Sequence, residues 1–170
     1  KTKSLRFGEA VKTLASEAGM QPYRFTKLDE KNGLFECSAN ISLSEIIKDI
    51  VNKGWFLSVT PGSKFVTVGG AIASDVHGKN HHNDGSFSDY VESFKIITAD
   101  GNVYECTKEK NQDLFKATCG GMGLTGIIIE AKIKLLPIGS KNLIVESYNA
   151  KNISETMKKF KELRGNKYLI

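Results

Sequence analysis

The chain has 170 residues, 40% of them hydrophobic and 25% charged, with a formal net charge of +5 at pH 7. That is the composition of about one packed domain, and it excludes a chain disordered from end to end. No run approaches the roughly 18 uninterrupted apolar residues of a membrane span, and "KTKSLRFGEAV" lacks the apolar centre of a signal peptide, so a soluble chain is expected.

In chain order, "LRFGEAVKTLASEAGM" carries helix-forming residues around an internal glycine and predicts a weak first helix. "GLFECSA", after the turn-like "DEKNG", predicts a strand over 33–39. "SLSEIIKDIVNKG" predicts a helix: Ser42 and Glu45 have the spacing of a capping box, Ile46, Ile47, Ile50 and Val51 share one face, and Gly54 closes the end. "WFLSVTPG" predicts a buried strand running into a Pro-Gly turn.

The stretch "KFVTVGGAIASDVHG" begins β-branched and then dissolves into small residues, so that backbone rather than side chains would face whatever lies there. "VESFKIITADGNVYECT" predicts a hairpin closed by a tight type I′ turn at Asp100-Gly101. "NQDLFKATCG" predicts a short helix with Asn111 at its N-cap and Gly120 and Gly121 beyond its end. "TGIIIEAKIKLLPI" predicts a strand stopped by Pro137. After residue 140 the pattern restarts as strand "NLIVESY", helix "SETMKKFKELR" and the start of a strand at "KYLI", which is expected to open a second domain of a longer protein.

The last twenty residues contain six basic and two acidic side chains, nearly all of the net charge, and they read as the wet face of that last helix. Nucleic-acid binding is therefore not expected, since no aromatic residues are interleaved with a basic groove. Cys37, Cys106 and Cys119 are odd in number and far apart, which argues against both a disulfide framework and a cysteine-rich zinc site and for a reducing compartment.

"GMGLTG", Gly121 to Gly126, satisfies the literal GxGxxG of dinucleotide binders, but a helix precedes it and a strand follows. A Rossmann site needs the reverse order, because the helix N-terminus holds the pyrophosphate. The remaining reading is that these glycines let two backbones approach closely.

All three histidines fall in "DVHGKNHHNDG". His77 and His81 have the i, i+4 spacing that serves zinc on one helix, with Asp75 or Asp84 as an oxygen ligand, yet Gly78, Asn80 and Asn83 argue against a helix, and no metal site is expected. His81 and His82 can instead satisfy loop backbone groups. His77 stands beside glycine-rich backbone arranged for close contact, and Lys79 offers positive charge or points into water. Ser58, Thr60, Ser63 and Thr67 flank the Pro-Gly turn as possible donors to a cofactor or as ordinary turn hydroxyls. Neither a GxSxG elbow nor a P-loop is present, and no carboxylate pair suggests general acid-base work.

"TPGSKFVTVGGAIASDVHGKNHH", then "GSFSDYVESFKIITADG", then "DLFKATCGGMGLTGIIIEAKIKLLPI", resemble the FAD-binding domain of the vanillyl-alcohol-oxidase-like flavoproteins. Within that superfamily they look most like the decaprenylphosphoryl-β-D-ribose 2′-oxidases and their bacterial relatives. The likeness spans about residues 34 to 138, and "KNHH" separates it from the wider aldonolactone and alditol oxidase group.

The resemblance implies an α+β fold, a PCMH-type FAD-binding domain of two α+β subdomains rather than a Rossmann sheet, over residues 1–138, with 139–170 as the beginning of a substrate domain. It implies non-covalent FAD, with Gly62, Ser63, Thr67, Gly70, Ser74, Val76, His77, Lys79, Gly126 and Ile128 around it and His77 as the catalytic residue near flavin and sugar. It further implies oxidation of a sugar secondary alcohol to a ketone, in the close family the 2′-hydroxyl of a polyprenylphosphoryl ribose, with a short-chain NAD(P)H-dependent reductase as partner and a cytoplasmic location peripheral to the membrane.

The family's glycine-rich pyrophosphate loop has only "SLRFGEA" as counterpart, so two alternatives stand beside this reading: an FAD-linked sugar-alcohol or aldonolactone oxidase, and a module that no longer binds FAD.

Overall fold

The computed structural model describes residues 24–168. The predicted first helix and the "SLRFGEA" segment lie outside these residues, as does the end of "KYLI".

Among the described residues, six antiparallel strands form one sheet. Strands β1 (Thr26–Asp29), β2 (Leu34–Ser38), β4 (Val91–Ile97) and β5 (Val103–Thr107) are ordered β1-β2-β6-β4-β5 around the long central β6 (Ile127–Pro137), whose far end also pairs with β3 (Trp55–Leu57). β6 alternates on the sheet: Ala131, Ile133 and Leu135 are buried. They share their face with Phe35 and Cys37 of β2 and Phe94 of β4, and helices cover it. The opposite face is polar and carries the cross-strand ion pairs Lys132–Glu36 (2.9 Å) and Lys95–Glu130 (2.7 Å). One apolar face under helices and one wet face make a two-layer α+β unit, and a wholly antiparallel sheet excludes the Rossmann arrangement.

Helix α1 (Leu43–Ile50) forms as its sequence predicts, with both capping-box bonds between Ser42 and Glu45 present. Leu43, Ile46 and Ile50 are buried, and a 3-10 turn over Val51–Lys53 leads to Gly54. Helix α2 (Val68–Ala73) occupies the stretch expected to offer only backbone. Its two glycines disfavour a helix, but Val68, Ala71 and Ile72 are fully buried against the sheet and the Thr67 hydroxyl caps the first turn by accepting from Gly70 N (3.2 Å), so tertiary burial overrides propensity. Helix α3 (His81–Asp84) is a single turn. Helix α4 (Gln112–Thr118) packs Phe115 on Phe94, ring centroids 5.1 Å apart. Asn111 holds its cap position, but its side chain turns away to donate to Glu105 O (2.8 Å).

The 91–107 hairpin forms, with a different turn from the expected one. Thr98 N donates to Asn102 O and Gly101 N to Thr98 O, so three residues close the loop and only Gly101 (φ +79°) is left-handed. A type I′ turn requires two left-handed residues; a type I turn followed by a glycine bulge requires one. The Asp100 carboxylate organises this loop. The Thr98 hydroxyl first, then the side chain and backbone amide of Asn102, hold its carboxyl down to about 2. A depressed carboxyl contributes stability that is present above the ordinary aspartate range and is lost as pH falls through its folded value. Urea midpoints measured from pH 5 down to pH 2 are therefore expected to fall further for the wild type than for Asp100→Ala; parallel curves would remove Asp100 from the acid response.

The segment 139–168 departs from its prediction in one respect. "NLIVESY" forms no strand and pairs with none among the described residues, leaving Leu143, Ile144 and Val145 exposed. Helix α5 (Ile153–Glu162) forms, capped by the Asn152 side chain at Glu155 N (2.9 Å). Its apolar side chains Ile153, Met157 and Phe160 are also exposed. No helix among the described residues is long and apolar enough to cross a membrane.

Candidate functional site

The candidate residues gather where the end of β3, helix α2 and the histidine loop meet. After Leu57 the chain runs through the exposed turn Gly62–Ser63–Lys64, and Lys64 O and Val66 O accept from the first amides of α1. It then enters α2. The first amides of α2 are engaged inside the protein: Val68 N donates to Ile41 O, Gly69 N to Ala39 O and Gly70 N to the Thr67 hydroxyl. This helix end is therefore used to seat α2 on the 39–41 turn, where a Cβ on Gly69 would lie 3.3 Å from Ala39 Cβ and 3.8 Å from Ile128 Cβ. Ile128 thus stands beside α2.

Ser74 is exposed at the end of α2, and Asp75 follows in a left-handed conformation (φ +40°). Val76 is half-buried. His77 is exposed and forms an isolated antiparallel bridge with Ser86. His77 and His81 do not share a helix, since His77 is extended and His81 begins α3; a helical turn at 81–84 exists despite the expectation against one, because it needs only four residues. Their rings meet edge to face at 5.2 Å. His81 Nδ1 donates to Gly78 O (2.9 Å) and His82 Nε2 to Asn166 O (3.3 Å), the loop-satisfying roles expected of them. Among the described residues no group of three or more His, Cys, Asp or Glu side chains is placed to hold a metal ion.

Gly78 is buried, and a Cβ there would lie 2.6 Å from both Thr60 O and Asn80 Oδ1. Glycine therefore lets the His77–Lys79 turn press against the chain leaving β3. Lys79 is exposed beside it. Asn80, quoted in the motif but assigned no role, is fully buried. Its Nδ2 donates to Ser58 O (2.8 Å) and to Asp84 Oδ2 (2.6 Å), while Oδ1 is buried with no hydrogen-bond partner among the described residues. Ser58 is buried and directs its hydroxyl to Lys134 O (3.4 Å), so it is not a donor to a ligand; the Ser63 hydroxyl accepts from Phe65 N (3.3 Å).

The glycine loop 120–126 reaches the same place. Gly120 N donates to Ile72 O and Met122 N to Ala73 O, at the end of α2. Cys119 sits behind it, its thiol pushed up to about 11 by burial and then by the Asp75 charge, which makes it a poor nucleophile at neutral pH. Gly126 faces the sheet instead of the loop side: a Cβ there would lie 2.2 Å from Ile97 O, so its place in the structure is a close approach of two backbones.

The exposed donors on this surface suit FAD. The amides of Gly62 and Ser63 engage no acceptor among the described residues, and the side chains of Lys64, His77 and Lys79 are exposed on the segments that follow. A dinucleotide with a diphosphate dianion and a ring edged with acceptors suits such donors.

Comparison with known proteins points the same way. A family described as the FAD binding domain matches residues 18–107. The chain is 40% identical over 135 residues to a decaprenylphosphoryl-β-D-ribose oxidase of Mycolicibacterium smegmatis, covering 79% of this chain and 29% of that protein. It is 29% identical over 136 residues to a Δ(24)-sterol reductase of Rattus norvegicus (80% and 26%) and 31% identical over 124 residues to one of Pisum sativum (72% and 22%). The chain spans under a third of the length of these relatives. With an antiparallel α+β sheet, a donor surface built on glycine-rich backbone and this match over more than half its length, the chain belongs to the FAD binding domain family of PCMH-type fold, and FAD is its cofactor.

Proposed function

We propose that the protein is an FAD-linked oxidoreductase that oxidises a secondary alcohol of a sugar to a ketone, the sugar being the ribose of a polyprenylphosphoryl ribose and the hydroxyl its 2′ group. The observation that carries this reading is the exposed His77 imidazole on a backbone bridged to Ser86, beside Lys79 and the small-residue surface of α2, in a chain 40% identical to a decaprenylphosphoryl-ribose oxidase. FAD, when bound, supplies the two-electron acceptor that takes the hydride from the alcohol carbon. His77 orients the sugar hydroxyl and receives its proton, an imidazole nitrogen being able to accept both a hydrogen bond and a proton. Lys79 provides positive charge toward an anion, either the cofactor diphosphate or the substrate phosphate. Gly62, Ser63, Thr67, Gly70, Ser74 and Val76 shape the cofactor wall.

Residues 139–168 form the opening of a substrate domain on this reading. The exposed Leu143, Ile144, Val145, Ile153, Met157 and Phe160 support it, since so many exposed large apolar side chains in one segment are normally covered. The enzyme acts at the cytoplasmic side of a membrane, where a lipid-linked sugar is presented, and an NAD(P)H-dependent reductase of the short-chain type consumes the ketone.

The test is anaerobic bleaching of the flavin in the full-length protein. A polyprenylphosphoryl ribose should bleach it and a free alditol or aldonolactone should not; the opposite pattern would favour the sugar-alcohol oxidase. His77→Ala should slow flavin reduction by roughly a hundredfold, within the range of general-base loss, while FAD stays bound. An unchanged reduction rate would remove His77 from the chemistry.

A further inference from the structure

We propose that Asp75 is a positioning residue for the flavin loop, its carboxylate fixing the backbone that carries His77. The inference deepens the functional reading above and rests on its placement of His77 at the cofactor.

Helix α2 ends in a complete Schellman motif. Asp75 N donates to Ile72 O and Val76 N to Ala71 O, both at 3.0 Å, which are the paired bonds that close such an end. The residue at this corner must be left-handed, and glycine is the usual occupant because a Cβ is strained there. Here the corner is an aspartate at φ +40°. A helix that needed only to stop would be served at least as well by glycine, so the side chain must account for the choice.

That side chain is engaged at both oxygens. Oδ2 accepts from the Ser86 hydroxyl and Oδ1 from Ser88 N, each at 2.9 Å. These bonds tie the 86–88 segment to the end of α2. The same segment grips the histidine strand: Ser86 bridges His77, and Phe87 N donates to Val76 O (2.9 Å) while the Phe87 ring is buried in the core. Asp75 therefore holds the partner strand of His77 without facing the cofactor itself. Removing the carboxylate leaves α2 its helical end but frees the clamp.

This separates folding from positioning. In Asp75→Gly the relieved left-handed strain is set against two lost charge-assisted hydrogen bonds, so the Tm of the flavin-stripped form is expected to fall by only a few degrees. The substitution should also weaken FAD binding by roughly tenfold, since a misplacement of about an ångström in a positioned group has effects of that size or larger. Asp75→Asn, whose amide oxygen can still accept one of the two bonds and which tolerates the left-handed corner, should recover most of the affinity. Hydrogen exchange at the amides of Phe87 and Ser88 should quicken in Asp75→Gly. Unchanged exchange and unchanged FAD affinity in Asp75→Gly would overturn the proposal, and so would an unfolded fraction large enough to account by itself for the lost affinity, because Asp75 would then act through folding alone. None of these readouts depends on the sugar. If the wild type bleaches with no sugar alcohol, the functional reading fails, while weaker FAD binding and quicker exchange in Asp75→Gly would still support the clamp.

Discussion

Gly126→Ala is expected to lower the stability of the domain by about 3 kcal/mol or more, combining left-handed backbone strain with overpacking, each of order 1–3 kcal/mol. Gly126 has φ +151°, and an alanine Cβ would lie 2.2 Å from Ile97 O and 3.0 Å from Ile97 C. The obstacle is backbone of β4, held by the Ile97↔Ile127 and Ile96↔Ile128 register pairs, so it cannot rotate away as a side chain would. The corresponding drop in Tm is roughly 10 °C for a domain of this size. Gly123→Ala is the control: Gly123 is also left-handed (φ +77°), but nothing lies within 4 Å of its Cβ position, so it isolates conformational strain at about 1 kcal/mol. Equal losses in the two variants would show that the β4–β6 junction relaxes around the methyl group.

Asn80→Asp is expected to have a comparable effect through electrostatics, with almost no change in shape. The amide nitrogen of this fully buried side chain donates to Ser58 O and Asp84 Oδ2. A carboxylate would place acceptor against acceptor at the first and like charge against like at the second. Leaving a buried charge without a compensating partner costs about 3–5 kcal/mol. Burial and the Asp84 charge would raise the new carboxyl above the ordinary aspartate value in the folded state. Below the unfolded value, both states are protonated and the loss is smallest. It grows as pH rises from there to the raised folded value and is constant above it. Urea denaturation of variant and wild type between pH 4 and pH 8 measures this. A pH-independent difference, like that expected for Asn80→Ala, would mean that folding does not raise the new carboxyl above its unfolded value. The same loss should loosen the His77–Lys79 turn, since Asn80 links it to the chain leaving β3.

Some elements were legible because their causes are local. The capping box of α1 involves residues three apart, the hairpin is marked by two β-rich runs around Asp100-Gly101, and the helix-before-strand order around "GMGLTG" already excluded a Rossmann site. Other elements misled because their causes are distant. Helix α2 has poor intrinsic propensity and forms on the buried contacts of Val68, Ala71 and Ile72. "NLIVESY" has a strand's composition, yet a strand needs a partner, and none of the described residues provides one. The hairpin turn differed by one residue because dipeptide chemistry fixes the location of a reversal better than its length.

At the site the division is the same. The sequence by itself determined the family, through the long run from Pro61 to His82, and with it FAD and the candidate residues around His77. It did not reveal that Asn80 is a buried tie, that Asp75 is a left-handed clamp, or that Gly126 answers to Ile97. Those roles depend on partners 22, 11 to 13 and 29 residues away in sequence, brought within bonding distance only when the sheet, α2 and the histidine loop pack together. Residue identity fixes which hydrogen bonds and charges a side chain can offer; the tertiary structure decides which partner receives them, because burial removes water as the alternative.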